Sequence, residues 1–163
     1  MTKRFALLYP VMLLLLFALL YADTSFLSKG PNAWQGELTL ALLGLGLEPG
    51  QLQGNEIIIN PSYRLIITQA CNGMIPILFY WASVIAYPSG LLYKLLWLAI
   101  GYSVISLVNV MRILLVTYML TKGGRENFEL AHDVIGNAIL MAIGLLLFVL
   151  FIRARQVKLG IGN

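Results

Sequence analysis

The feature that most constrains this chain is a series of apolar runs too long and too uninterrupted for a soluble core. After the basic pair Lys3 and Arg4 comes FALLYPVMLLLLFALLYA, about as long as a helix rising ~1.5 Å per residue needs to cross a bilayer. MIPILFYWASVIAY follows from Met74, LLYKLLWLAIGYSVISLVNVMRILLVTYML from Leu91, and a last run extends from about His132 to Ile152, stopping at Arg153-Ala154-Arg155. With 60% of its 163 residues hydrophobic and 11% charged, the chain carries more apolar surface than a soluble domain of this size buries. The expected fold is an all-α polytopic membrane protein, a single membrane-embedded domain over 1–163 with about four transmembrane helices, near 5–22, 71–87, 92–119 and 132–152. A cleavable signal peptide is the alternative for the first run. That run is long for such a role, and no clean small-x-small cleavage site follows it.

Between the first two spans, residues 23–70 form a polar insert with four acids and two bases. Within it TLALLGLGL is too short to span and reads as a small extracytoplasmic or interfacial helix, around residues 34–47. NEIIINPSYRLIIT sets two β-branched runs either side of Asn60-Pro61-Ser62, the chemistry of a β-hairpin. Orientation follows from Lys and Arg. With the N-terminus inside, the cytoplasmic pieces carry Lys3, Arg4, Lys94, Arg153, Arg155 and Lys158 and no acid, while the opposite side carries all seven Asp and Glu residues. The expected location is the inner (plasma) membrane with both termini cytoplasmic. A net charge of +4 is spread in small groups with no basic stripe, so the bases read as topology signals facing lipid and no nucleic-acid partner is expected.

This topology brings three chemistry-bearing residues to one depth on the extracytoplasmic side. Cys71, the one cysteine, opens the second span, and His132, the one histidine, opens the fourth. Arg112 stands about 17 residues beyond Leu95 on the outward-running third span, roughly 25 Å along a helix. Taken alone, Cys71 reads as a packing residue, His132 as an interfacial one and Arg112 as a snorkelling cation. Together they form a set with a chemical purpose. The thiolate is the nucleophile, and a helix N-terminus and a cation favour it; an imidazole relays the proton, and a guanidinium stabilises an oxyanion. That combination suits acyl transfer on a peptide. Asn109, one turn before Arg112, is placed to hold the guanidinium, and Gly73 allows close substrate approach while Asn72 offers a donor. Asn137 and Asp133 form an i,i+4 pair on the fourth span. For these supporting residues capping and interhelical packing are equally good accounts. No cofactor is expected, and no paired Cys or His spacing or carboxylate cluster offers a metal site.

The three motifs ACNGM, NVMRI and FELAHDVIGN resemble, in order and approximate spacing, the core of the exosortase and archaeosortase family, over roughly residues 34–152. The resemblance implies a multi-span enzyme with Cys71 as nucleophile and Arg112 and His132 as its active-site arginine and histidine. It implies substrates that are precursor proteins with a C-terminal sorting signal: a short motif, a transmembrane helix and a basic tail. An amine or a lipid-linked acceptor would take the acyl group in a transpeptidation, and water in a proteolysis. Larger members carry additional spans, so the likeness is to compact forms such as exosortase H. Many relatives read Cys-Ser-Gly or Cys-Thr-Gly where this chain has Cys71-Asn72-Gly73, which leaves the substrate motif open. Two rivals stand beside this reading: a non-catalytic membrane scaffold or assembly subunit, and a lipid or phosphate enzyme using Arg112 and His132 alone.

Overall fold

In the computed structural model, which describes residues 2–22, 26–123 and 137–158, the longest apolar runs are helical. The elements are α1 (Thr2–Leu20), α2 (Phe26–Gly46), β1 (Leu52–Gln53), β2 (Glu56–Asn60), β3 (Tyr63–Ile66), a 3-10 turn (Gln69–Cys71), α3 (Met74–Ala86), α4 (Leu91–Gly123) and α5 (Asn137–Lys158). Among the described residues three helices are long and apolar enough to cross a membrane: Lys3–Leu20, Leu91–Lys122 and Ala138–Gln156. Large side chains on these helices, among them Leu7, Leu14, Leu107, Met111 and Leu145, point outward, as they do where lipid rather than water is the solvent.

The run after Cys71 makes a shorter helix than the expected 71–87, and the described residues hold three helices rather than four that are long enough to span by themselves. α3 has 13 residues, ~20 Å of helix against a hydrocarbon thickness of ~30 Å. Its start is delayed by the 3-10 turn and by Gly73, which sits at φ +79°. Its end is set by Pro88, which favours the extended backbone (ψ 134°) seen at Tyr87. The helix packs against α1, α4 and α5, and seven of its residues, from Met74 to Ala86, are buried. It is a core helix. At its C-terminal end Lys94 Nζ donates to Ile85 O at 2.6 Å, satisfying a carbonyl the helix cannot.

α3 and α4 approach closely because Gly101 leaves room. The Tyr80 ring lies directly on it, so a Cβ at position 101 would overlap the ring, and the Tyr80 hydroxyl donates to Trp97 O at 2.9 Å. In lipid such small-residue contacts, rather than apolar transfer, hold helices together. Gly101→Ala is therefore expected to destabilise the protein by ~1–3 kcal/mol, the cost of overpacking, read as a lowered melting temperature in detergent. An unchanged melting point would show that Tyr80 moves aside freely.

The extramembrane insert is more ordered than expected. α2 begins at Phe26 and runs 21 residues, well before the 34–47 stretch, and carries Gly30 and Pro31 inside it. The hairpin forms, with Ser62 N donating to Asn60 Oδ1 at 2.9 Å in an Asx turn, and β1 adds to make a three-stranded antiparallel sheet of order β1-β2-β3. Its inner side chains Ile57, Leu65 and Ile67 pack on Leu43 of α2 and on Val110, Ile113, Val116 and Leu120 of α4. α4 is 33 residues long, ~50 Å at 1.5 Å per residue, so it reaches past the bilayer, and the sheet caps its far end.

Candidate active site

The sheet delivers the chain to the cysteine. β3 leaves through Ile67 and an extended Thr68 (φ −101°, ψ 175°) into the 3-10 turn that ends at Cys71. Cys71 N donates to Thr68 O at 2.9 Å and Asn72 N to Gln69 O at 3.2 Å. Thr68 Oγ1 lies 3.7 Å from the half-buried Cys71 Sγ. Asn72 then turns the chain into α3: its Oδ1 accepts from Met74 N at 2.9 Å, and Gly73 follows in the left-handed region that favours glycine.

Asn109 ties this turn to α4. Its Nδ2 donates to Cys71 O at 2.8 Å, and its Oδ1 accepts from Arg112 Nη1 at 3.3 Å. One fully buried amide thus joins the cysteine turn to a guanidinium that is itself buried. Gly73 packs on the same amide, where a Cβ would stand 2.9 Å from Asn109 Cγ. Arg112 lies eighteen positions beyond Lys94 on α4, ~27 Å along the axis. That is close to one hydrocarbon thickness of ~30 Å. An arginine at the centre of a spanning helix costs ~2.5–3.5 kcal/mol to insert, and the hydrogen bond to Asn109 Oδ1 offsets part of such a cost.

Residues on either side of Cys71 and Arg112 itself open onto one cavity of about 640 Å³, lined by Ala70, Gly73 and Arg112 at one end and by apolar side chains of α3 and α5, such as Phe79 and Leu145, along its length. Of the other expected site residues, His132 and Asp133 lie outside the described residues, and Asn137 is the first residue of α5. Among the described residues no three His, Cys, Asp or Glu side chains cluster as a metal site would require.

Two residues that sequence reasoning passed over hold the turn from the other side. Gln35 Nε2 donates to Asn72 O at 2.9 Å and to Ser106 Oγ at 3.2 Å, and Thr39 Oγ1 donates to Gln35 O at 2.8 Å and lies 3.4 Å from Asn72 O. Both are 1% exposed. The available signal was the spacing of Ser28, Gln35 and Thr39, which shares one face of α2. Asn109→Ala removes the link between Cys71 O and Arg112 and takes one hydrogen bond from each. It is expected to cost ~1–3 kcal/mol, seen as a lower melting temperature in detergent; unchanged melting would mean the two groups find new partners.

The family model described as Transmembrane exosortase matches residues 2–149. No curated protein and no solved structure matches the chain. The matched span takes in α1, the insert with its sheet, the cysteine turn, all of α4 and more than half of α5, and on that extent the chain belongs to the transmembrane exosortase family.

Proposed function

We propose that this protein is a membrane-embedded cysteine transpeptidase or protease that processes C-terminal sorting signals of exported, membrane-anchored precursors. The observation that carries the reading is the Asn109 bridge, which fixes Cys71 and Arg112, from two separate elements, into one hydrogen-bonded unit beside a cavity. The family supplies the substrate class, a membrane transpeptidase role on sorting signals. The positive-inside pattern orients the chain with both termini cytoplasmic and the site at the extracytoplasmic face.

In this reading the precursor's apolar helix lies along the 640 Å³ cavity, and its scissile peptide rests over the turn. Cys71, losing its proton to His132, attacks the peptide carbonyl carbon through Sγ. Arg112 stabilises the negative charge that collects on the carbonyl oxygen. Collapse of the tetrahedral adduct breaks the C–N bond, and His132 returns the proton to the departing amine, which leaves with the helix and the basic tail. Water, an amine or a lipid-linked nucleophile then attacks the thioester and restores the thiol.

The test is to trap that thioester. Wild-type membranes given a reporter precursor, an exported domain followed by a polar segment, an apolar helix and a basic tail, and quenched in acid during turnover should yield reporter joined to Cys71, detected by mass spectrometry and released by hydroxylamine, and His132→Ala membranes should yield none. Cleavage by the wild-type chain with no cysteine-linked species in any variant would sink the covalent route.

A further inference from the structure

The cysteine turn is two-faced. Ala70 and Gly73 line the apolar cavity, whereas Ile67, Thr68, Gln69 and Asn72 line a second, less apolar cleft of about 260 Å³, bounded also by Asn32, Ala33, Gly36 and Leu40 of α2. Resting on the enzyme reading above, we infer that this second cleft binds the extended segment of the precursor that precedes its membrane helix.

The chemistry of the lining selects the ligand. No residue bordering the cleft carries a formal charge, so it offers nothing to a phosphate or a carboxylate. It offers amides. Asn72 Nδ2 is a buried donor and Asn32 Oδ1 a buried acceptor, and neither has a hydrogen-bond partner. A peptide unit, with one acceptor and one donor, is the neutral group that matches the amide side chains of Asn32, Gln69 and Asn72 bordering the cleft. The backbone adds a second reason. β3 is the outer strand of the sheet, and Ile67 N donates to Asn55 O at 2.8 Å. The alternation of antiparallel pairing therefore turns the main-chain groups of Ile66 and the N–H of Thr68 away from β2, the Thr68 carbonyl being taken by Cys71 N. An extended peptide recognises such an edge by adding a strand to it.

The position of the cleft ties it to the reaction. Thr68, which borders the cleft, lies with its hydroxyl 3.7 Å from Cys71 Sγ. A precursor that enters along β3 through this cleft crosses the turn and continues into the apolar cavity. Its polar-to-apolar junction falls at the thiol. The two faces of one turn thus fix where cleavage occurs, and the cleft reads the segment just before it.

Gly36 gives the test. It borders the cleft, and a Cβ there meets nothing within 4 Å, so Gly36→Leu adds an apolar side chain at the cleft wall with room for its first carbon. Gly30 is equally open on the same helix and outside the cleft lining, so Gly30→Leu is the control. With full-length protein in membranes and the reporter precursor, Gly36→Leu should process at least about tenfold more slowly at low precursor and recover as precursor is raised, the pattern of lost ground-state binding. Gly30→Leu should stay within about twofold of wild type, and maleimide should alkylate Cys71 equally fast in all three. Wild-type processing by Gly36→Leu, or a loss that excess precursor does not relieve, overturns the inference. As a check independent of that variant's fold, a benzophenone side chain at position 68 in the Cys71→Ala chain should capture the reporter's polar segment; capture of its helix or of lipid alone overturns it too. A wild-type chain that leaves the reporter intact brings down the enzyme reading as well, whereas Cys71-dependent processing indifferent to position 36 brings down this inference alone.

Discussion

Cys71→Ala and Cys71→Ser leave the reporter precursor unprocessed, with a loss of at least ~10³-fold, the scale seen when a covalent nucleophile is removed. Both variants stay folded. What holds the turn at this position is main chain: Cys71 N to Thr68 O and Asn109 Nδ2 to Cys71 O, bonds that any side chain permits. Serine is the sharper variant, since it keeps the shape and a hydroxyl yet lacks the acidity that makes a thiolate accessible near neutral pH. The measurement is a gel shift of the reporter in cells beside a detergent melting curve of each variant. The scaffold reading requires all three chains to behave alike. A lipid or phosphate enzyme using Arg112 and His132 alone requires its activity to survive loss of the sulfur. Processing that continues in Cys71→Ala excludes the thioester and leaves the family fold in search of another nucleophile.

Much of the architecture was legible because membranes impose few solutions. An apolar run of about 18 or more residues that must satisfy its own backbone becomes a helix, and α1, α4 and α5 follow from that rule alone. The hairpin was legible from Asn60-Pro61-Ser62, whose turn chemistry is local. Two features were hidden because they are settled by tertiary contacts. Residues 71–87 read as one continuous helix, but Gly73 is held at positive φ against Asn109, which keeps Cys71 in a turn and leaves α3 with 13 residues. α2 read as a short interfacial piece because only TLALLGLGL within it is continuously apolar. Its polar face instead finds partners across the structure, Gln35 on Asn72 O and Ser106, and Asn32 Nδ2 donates to Ser28 O at 2.8 Å beside Pro31. Depth counting put Cys71 and Arg112 at a common height. It did not reveal that one amide joins them, because the hydrogen bond from Asn109 to Cys71 O spans 38 positions in sequence.

Arg112 separates activity from stability in opposite directions, which makes it the more discriminating site to change. Arg112→Lys keeps the charge but replaces a planar fork with a point donor. A lysine reaching for Asn109 Oδ1 cannot also present a second, fixed N–H to a developing oxyanion. A loss of ~10²–10³-fold in processing is expected, the range for removing one oxyanion donor. Arg112→Met keeps much of the volume and removes the charge. Processing should fall at least as far, yet the fold should lose little, because relief from burying a cation in an apolar helix offsets the ~1–3 kcal/mol of leaving Asn109 Oδ1 without its Arg112 donor. Well-packed apolar replacements of buried ionic groups are often neutral or stabilising. A merely structural arginine gives the reverse signature: Arg112→Met would lower the melting temperature in detergent by more than ~4 °C, about 1 kcal/mol for a chain near this length, and Arg112→Lys, which retains the charge, would process the reporter nearly as well as wild type. Melting that holds steady in Arg112→Met while processing collapses in both variants identifies a guanidinium kept in an unfavourable place for its chemistry.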